Sequence, residues 1–168
     1  MNLPAALILL LATGITSAQA ATLTFSPDQV GDVFCIGTLA DDMSQIEAGL
    51  LTPALVEAIT IAETRNSEFE SQHPGDKPPL GDGLPWRSYP DFADSCTVGA
   101  VTLTDDATAA SVAINYTFNA DPSANYTDTL QLKQTTGTDR FYQLDDIDQI
   151  DGQRFTTTLA AAFSDQDK

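Results

Sequence analysis

The chain has 168 residues, with 24 Asp and Glu against 7 Lys and Arg, a formal net charge of −17, and two cysteines. A surface of that charge repels nucleic acid and anionic lipid and disfavours both as partners. The acidic residues are scattered and form no long block, as on a surface built for solubility.

The first element is an export leader. Leu3 to Ala12 is a nearly unbroken apolar run, too short to span a bilayer, and Ala18-Gln19-Ala20 is a small-x-small cleavage signal. Residues 1–20 are therefore expected to be removed as a signal peptide, with the mature chain starting at Ala21. No Cys follows closely for lipid attachment, and no later stretch is apolar for long enough to cross a membrane. The expected product is periplasmic or secreted, without membrane contact after cleavage. About 148 residues then remain, enough for one domain, 21–168, with a single core. In an oxidising compartment Cys35 and Cys96, with no CxxC spacing or paired His nearby, point to a structural disulfide. It closes a loop of about 60 residues, which in the chain-entropy model contributes on the order of 4 kcal/mol.

Ser26-Pro27-Asp28-Gln29 opens a helix, with Ser as N-cap, Pro at the first helical position and Gln at the capping-box position. Val30, Phe34 and Leu39 follow near helical spacing and carry Cys35 on their flank. A second helical stretch is expected from Gln45 to Leu50. Thr52-Pro53 repeats the cap-then-proline signal, starting a longer helix whose inner face is Leu55, Val56, Ile59 and Ala62. From 71 to 94 the pattern breaks into a long Pro- and Gly-rich loop that holds the only Trp and the only His. Loops of this length inside compact domains are usually functional or mobile. Lys77, Trp86, Arg87 and Tyr89 make it a candidate interaction surface, although its aromatic residues also suit pinning the loop to the body.

Four segments rich in β-branched and aromatic residues then read as strands: Val98 to Thr104, Val112 to Asn119, Tyr126 to Lys133 and Arg140 to Ile147. A short helix, Arg154 to Phe163, follows the turn at Asp151-Gly152. Helices, then an antiparallel meander, then a helix is an α+β order, with the N-terminal helices packed on a bent sheet of four or more strands.

That order resembles the cone fold shared by cystatin-like and nuclear-transport-factor-2-like domains. Pro78-Pro79-Leu80-Gly81-Asp82-Gly83, Asp128-Thr129-Leu130-Gln131-Leu132 and Leu144-Asp145-Asp146-Ile147 are similar to an uncharacterised bacterial exported family of that fold. The resemblance implies N-terminal helices covering the concave side of the sheet. It brings no activity with it. It also offers the exposed sheet face as a surface for a homodimer, as in many proteins of the fold.

Apolar alternation sets an expected register, since a slip of one residue exchanges the faces of a strand. Val112, Ile114, Tyr116 and Phe118 define one inner face, Tyr126, Leu130 and Leu132 the next, and Tyr142 with Leu144 the third. A hairpin turning at Gly137 pairs Leu132 with Tyr142 and Asp128 with Asp146, and a turn around Pro122 pairs Phe118 with Tyr126 and Tyr116 with Asp128. The result is a row, Tyr116, Asp128 and Asp146, with Arg140 on the same alternation and Arg87 or Lys77 within reach from the loop. Two opposed buried carboxylates demand that one stay protonated, that a cation sit between them, or that the register be a different one. One reading makes the row an acid–base or ligand-orienting pocket. The other puts the two Asp at the sheet margin, accepting hydrogen bonds from loop N–H groups or from an Arg.

Other motifs carry less. The run from Asp146 to Gly152 has calcium-loop character, but its acidic spacing is off by one and no Glu arrives at the required distance. His73 has no Ser elbow or partnered Cys, and there is neither zinc spacing nor a phosphate-cradling glycine loop followed by Lys. No metal or cofactor is expected. The leading expectation is a non-enzymatic exported domain that binds a small molecule or a protein. The alternatives are an enzyme using Tyr116, Asp128 and Asp146 for proton transfer, and a periplasmic inhibitor or immunity protein presenting acidic residues to a basic target.

Overall fold

A computed structural model describes residues 25–81, 83–136 and 141–164. The leader at 1–20, the turn at Gly137 and the candidate Arg140 lie outside the described residues.

The chain is α+β. Helices α1 (Pro27–Ala40), α2 (Ser44–Glu47) and α3 (Pro53–Gln72) precede strands β1 (Ser95–Leu103), β2 (Ala109–Thr117), β3 (Tyr126–Gln134) and β4 (Tyr142–Asp148), and α4 (Phe155–Ala161) closes the order. The strands form one antiparallel sheet in the order β1-β2-β3-β4. No described helix is long and apolar enough to cross a membrane.

The helix starts follow from their caps. The Gln29 side chain accepts from the Ser26 N–H at 3.0 Å, and the Thr52 hydroxyl accepts from the Leu55 N–H at 3.3 Å. These bonds satisfy donors that the first turn leaves without intrahelical partners. Helix α1 lies tight on the sheet because Gly31 has no side chain: a Cβ there would stand 3.0 Å from both Val112 and Val98. Val30 and Phe34 are buried as expected, but Leu39 and Val56 are exposed. Thr38 takes the inner place on α1 instead, donating its hydroxyl to the Phe34 carbonyl at 3.1 Å and so entering the core without an unmet polar group.

Cys35 and Cys96 form a disulfide with Cα atoms 5.5 Å apart, tying α1 to the start of β1. At the other end of the sheet, β4 is covered rather than left bare. Its Leu144 N–H donates to the Leu50 carbonyl, its Leu144 carbonyl accepts from the Thr52 N–H, and its Tyr142 N–H donates to the Phe25 carbonyl. The short stretch between α2 and α3 thereby protects an edge that would otherwise invite pairing with another chain.

The strand registers differ from the expected ones at both hairpins. Between β2 and β3, Tyr116 stands opposite Tyr126 and Ile114 opposite Asp128, because the connection spends extra residues on a 3₁₀ turn, Pro122–Ala124, capped by Asp121 and tied back by Asn125 to the Phe118 N–H at 2.7 Å. Between β3 and β4, Leu132 pairs with Leu144 and not with Tyr142, which stands opposite Gln134, so the register is offset by two residues from the expected one; Gln131 then pairs with Asp146, so Asp145 is an extra residue on β4. Such a bulge exchanges the faces downstream of it. Ile147, not Asp146, therefore stands opposite Leu130. The expected row is not formed: Tyr116 does not face Asp128, and Asp128 does not face Asp146.

Candidate functional site

Residues 73–94 leave α3 at His73, whose ring stacks on Phe69 at 4.3 Å and whose N–H closes the helix on the Phe69 carbonyl. His73 is an exposed helix-end residue. The loop is then pinned to the body at successive points. The Leu80 N–H donates to Asn66 Oδ1 of α3 at 3.0 Å, and Trp86 stacks on Phe155 of α4 at 4.8 Å between ring centroids. Gln149 bridges the same region, donating to the Pro85 carbonyl and accepting from the Thr158 hydroxyl.

The deepest pin is Asp128. It faces the apolar side of the sheet, as the alternation of β3 predicts, and is fully buried. Its carboxyl accepts from the Ser88 N–H at 3.1 Å and from the Ser88 hydroxyl, which itself accepts from the Ile150 N–H at 2.9 Å. One loop residue thus joins β3 to the turn after β4. Ser88 and Ile150 were not legible as partners of Asp128 in the sequence, since a lone Ser forty positions away carries no spacing signal.

Burial raises the Asp128 carboxyl above the ordinary carboxylate range, opposed by its hydrogen bonds from Ser88 and by the nearby Ile150 N–H and assisted by the charge of Asp151. The folded protein therefore holds this proton at a pH where the unfolded chain has released it. With the folded value above the unfolded one, the contribution is fully present at and below the unfolded value near 3.8 and is lost as pH rises through the raised one. Other carboxylates titrate too, so the comparison with Asp128→Asn isolates this one. The stability of the native sequence relative to that variant is expected to grow as pH falls from neutral toward the unfolded value near 3.8, as read by urea unfolding across pH. A constant difference between the two proteins would refute a raised value.

Asp146 is spent elsewhere. It accepts from the Thr156 hydroxyl at 2.7 Å and the Thr156 N–H at 3.2 Å in the first turn of α4, with Arg154 at 4.0 Å. Carboxylates at that end satisfy orphan donors and favour the helix dipole. Asp148 pairs with Arg154 at 3.3 Å, and Asp151 accepts from the Gln153 N–H, so the acidic run after β4 is occupied by the turn itself. Among the described residues no group of three or more metal-ligating side chains converges.

The tyrosines are also held in place. Tyr116 stacks on Tyr126 at 4.7 Å and donates its hydroxyl to Thr38 at 3.3 Å. Burial raises its pKa above the ordinary phenol value. The Tyr126 hydroxyl, which the Tyr89 N–H approaches without hydrogen-bond geometry, is pushed up to about 12 by burial and then by the charge of Asp128. Both phenols keep their protons at neutral pH, where a proton-transfer Tyr would need the opposite shift.

What the loop does bring together is its own aromatic and cationic set. Lys77, Trp86, Arg87 and Tyr89 all line one open cleft of about 520 Å³, with Leu80, Leu84 and Phe92 as further walls and Asp41 at the end of α1. A second groove of about 430 Å³ beside Phe25, Val33 and Phe141 is mostly apolar, with Gln45 as its polar side chain. The loop cleft is the better candidate because it pairs aromatic walls with a charge that can orient a ligand. Arg87 is the centre of that polarity. Its side chain is only 11 % exposed, its guanidinium carbon lies 4.5 Å above the Phe92 ring, and its Nη2 donates to the Pro90 carbonyl at 3.4 Å. Its Nη1 is buried without a hydrogen-bond partner among the described residues. A buried donor in that condition costs about 1–3 kcal/mol.

Comparison with known proteins finds no match: no protein-family model, no curated protein and no solved structure is similar to the chain. The functional reading accordingly rests on the geometry of the cleft and on the chemistry of its residues.

Proposed function

We propose that this chain is an exported, non-enzymatic binding domain on a cystatin-like cone, and that the cleft beneath residues 73–94 receives a small-molecule ligand. The observation that carries this reading is the convergence of Lys77, Trp86, Arg87 and Tyr89 on one cleft whose loop is pinned at Ser88 and Trp86. A pre-formed cleft spends little free energy on ordering when a ligand enters. The proton-transfer alternative has less support. Asp128 and Asp146 each satisfy a different part of the fold, and neither stands opposite Tyr116. Export is supported by the apolar leader with its cleavage signal and agrees with the Cys35–Cys96 disulfide.

Native mass spectrometry of the mature protein from its own host tests the reading, because subunit number, disulfide mass and retained ligand are read together. A small additional mass on the native protein, lost in the Trp86→Ala, Tyr89→Ala double variant, is the expected result. A stoichiometric protein partner in its place would transfer the cleft to the inhibitor or immunity reading, for which the exposed rings of Tyr89 and Phe92 on the rim are the supporting feature. A mass retained by the double variant would move the ligand away from this cleft.

A further inference from the structure

We infer that the ligand of this cleft is a small organic acid with a single carboxylate, seated on the Arg87 guanidinium, and an apolar or aromatic body against Trp86, Leu84 and Tyr89. This deepens the binding-domain reading and rests on it.

Three features of Arg87 converge on that chemistry. Phe92 covers one face of the guanidinium at 4.5 Å, which holds the cation in place and leaves its edge as the direction from which an acceptor approaches. The edge is underused at Nη2, which reaches the Pro90 carbonyl only at 3.4 Å, whereas Nη1 is closed off from solvent and without a partner among the described residues. A carboxylate oxygen entering the cleft is a stronger acceptor for Nη2 than that carbonyl, because the bond is charge-assisted.

The third feature is Asp41, which behaves as a tethered stand-in for that carboxylate. It sits in the left-handed conformation at the end of α1, with φ of 55°, lines the cleft, and directs an oxygen at Arg87 Nη2 from 3.8 Å. That distance is too long for a hydrogen bond, and the Asp41 side chain is 73 % exposed. A loose, solvated pair of this kind contributes little and is easily displaced by a better-placed acceptor. The walls decide the rest of the ligand. Leu80, Leu84, Pro85, Trp86, Tyr89 and Phe92 form the apolar part of a lining that also includes Lys77 and Ser88, and the apolar body of the acid rests on that part. The net charge of −17 repels multiply charged anions and leaves a monoanion as the acceptable form.

Trp86 is the only Trp and lines the cleft, so its fluorescence reports occupancy directly. Phenylacetate is titrated into the full mature protein, with phenylacetamide as its neutral twin. The expected result is a saturable change with the acid and binding of the amide weaker by about tenfold or more. Arg87→Gln is expected to remove the preference for the acid, with circular dichroism checking its fold. Asp41→Asn, at an exposed site that does not threaten folding, is expected to tighten the acid about two- to threefold by removing the competing carboxylate, without changing the amide. Equal binding of acid and amide, or an Asp41→Asn variant that does not tighten the acid, overturns the carboxylate while leaving the cleft as a binding site. Absence of any change with either compound also overturns it, and the binding-domain reading then stands or falls on the retained mass.

Discussion

Replacing Cys35 and Cys96 together by alanine lowers the unfolding free energy by about 4 kcal/mol, read as the change in urea unfolding of the double variant or of the reduced protein. The two residues are 61 positions apart, so the bond closes a loop containing α2, α3 and all of residues 73–94. In the unfolded chain that closure removes a large share of the conformations available to the most irregular part of the sequence. In the folded chain it anchors α1 to β1, where Gly31 already brings helix and sheet close. The loss is large beside the total of about 5–15 kcal/mol typical of a domain. A double variant within about 1 kcal/mol of the native protein would mean that the unfolded chain gains little freedom when the bond is removed.

Asp128→Ala costs about 3 kcal/mol, while Asp128→Asn costs about 1 kcal/mol. Alanine strips the acceptor from both the Ser88 N–H and the Ser88 hydroxyl and leaves a void opposite Ile114, at a position from which solvent is excluded. Asparagine keeps the shape and one acceptor oxygen, and it removes a charge that burial already disfavours. The Ser88 hydroxyl also receives the Ile150 N–H, so the alanine variant loosens two loops at once. Limited proteolysis is therefore expected to cut within residues 73–94 in Asp128→Ala and to spare Asp128→Asn. Equal stability and equal cleavage in the two variants would show that the Ser88 bonds do not hold the loop.

The same residue shows how far the sequence could be read. The alternation of β3 put Asp128 on the apolar side, which the fold bears out, because a period of two follows from strand geometry alone. It could not supply the partner. A 3₁₀ turn after Phe118, a two-residue offset that sets Leu132 opposite Leu144, and one extra residue at Asp145 move the neighbouring strands, and the expected row dissolves. The margin reading of the two carboxylates foresaw acceptance from loop N–H groups, and the structure shows that arrangement for Asp128 at Ser88, whereas Asp146 accepts from Thr156 in the first turn of α4. It did not foresee that the two would hold different elements, Asp128 the long loop and Asp146 the start of α4.

Local rules made the helix starts at Ser26 and Thr52, the breaks between elements, the α+β order and the cysteine pair legible, since each depends on a few neighbouring residues or on a count. The grouping of Lys77, Trp86, Arg87 and Tyr89 was legible from their shared loop, but the cleft they line, the underused edge of Arg87 and the nearness of Asp41 belong to the tertiary structure. They arise where α1, the long loop and the sheet meet. Contacts between segments that distant are set by packing and by the closure of the whole chain, and no periodicity within any one segment encodes them.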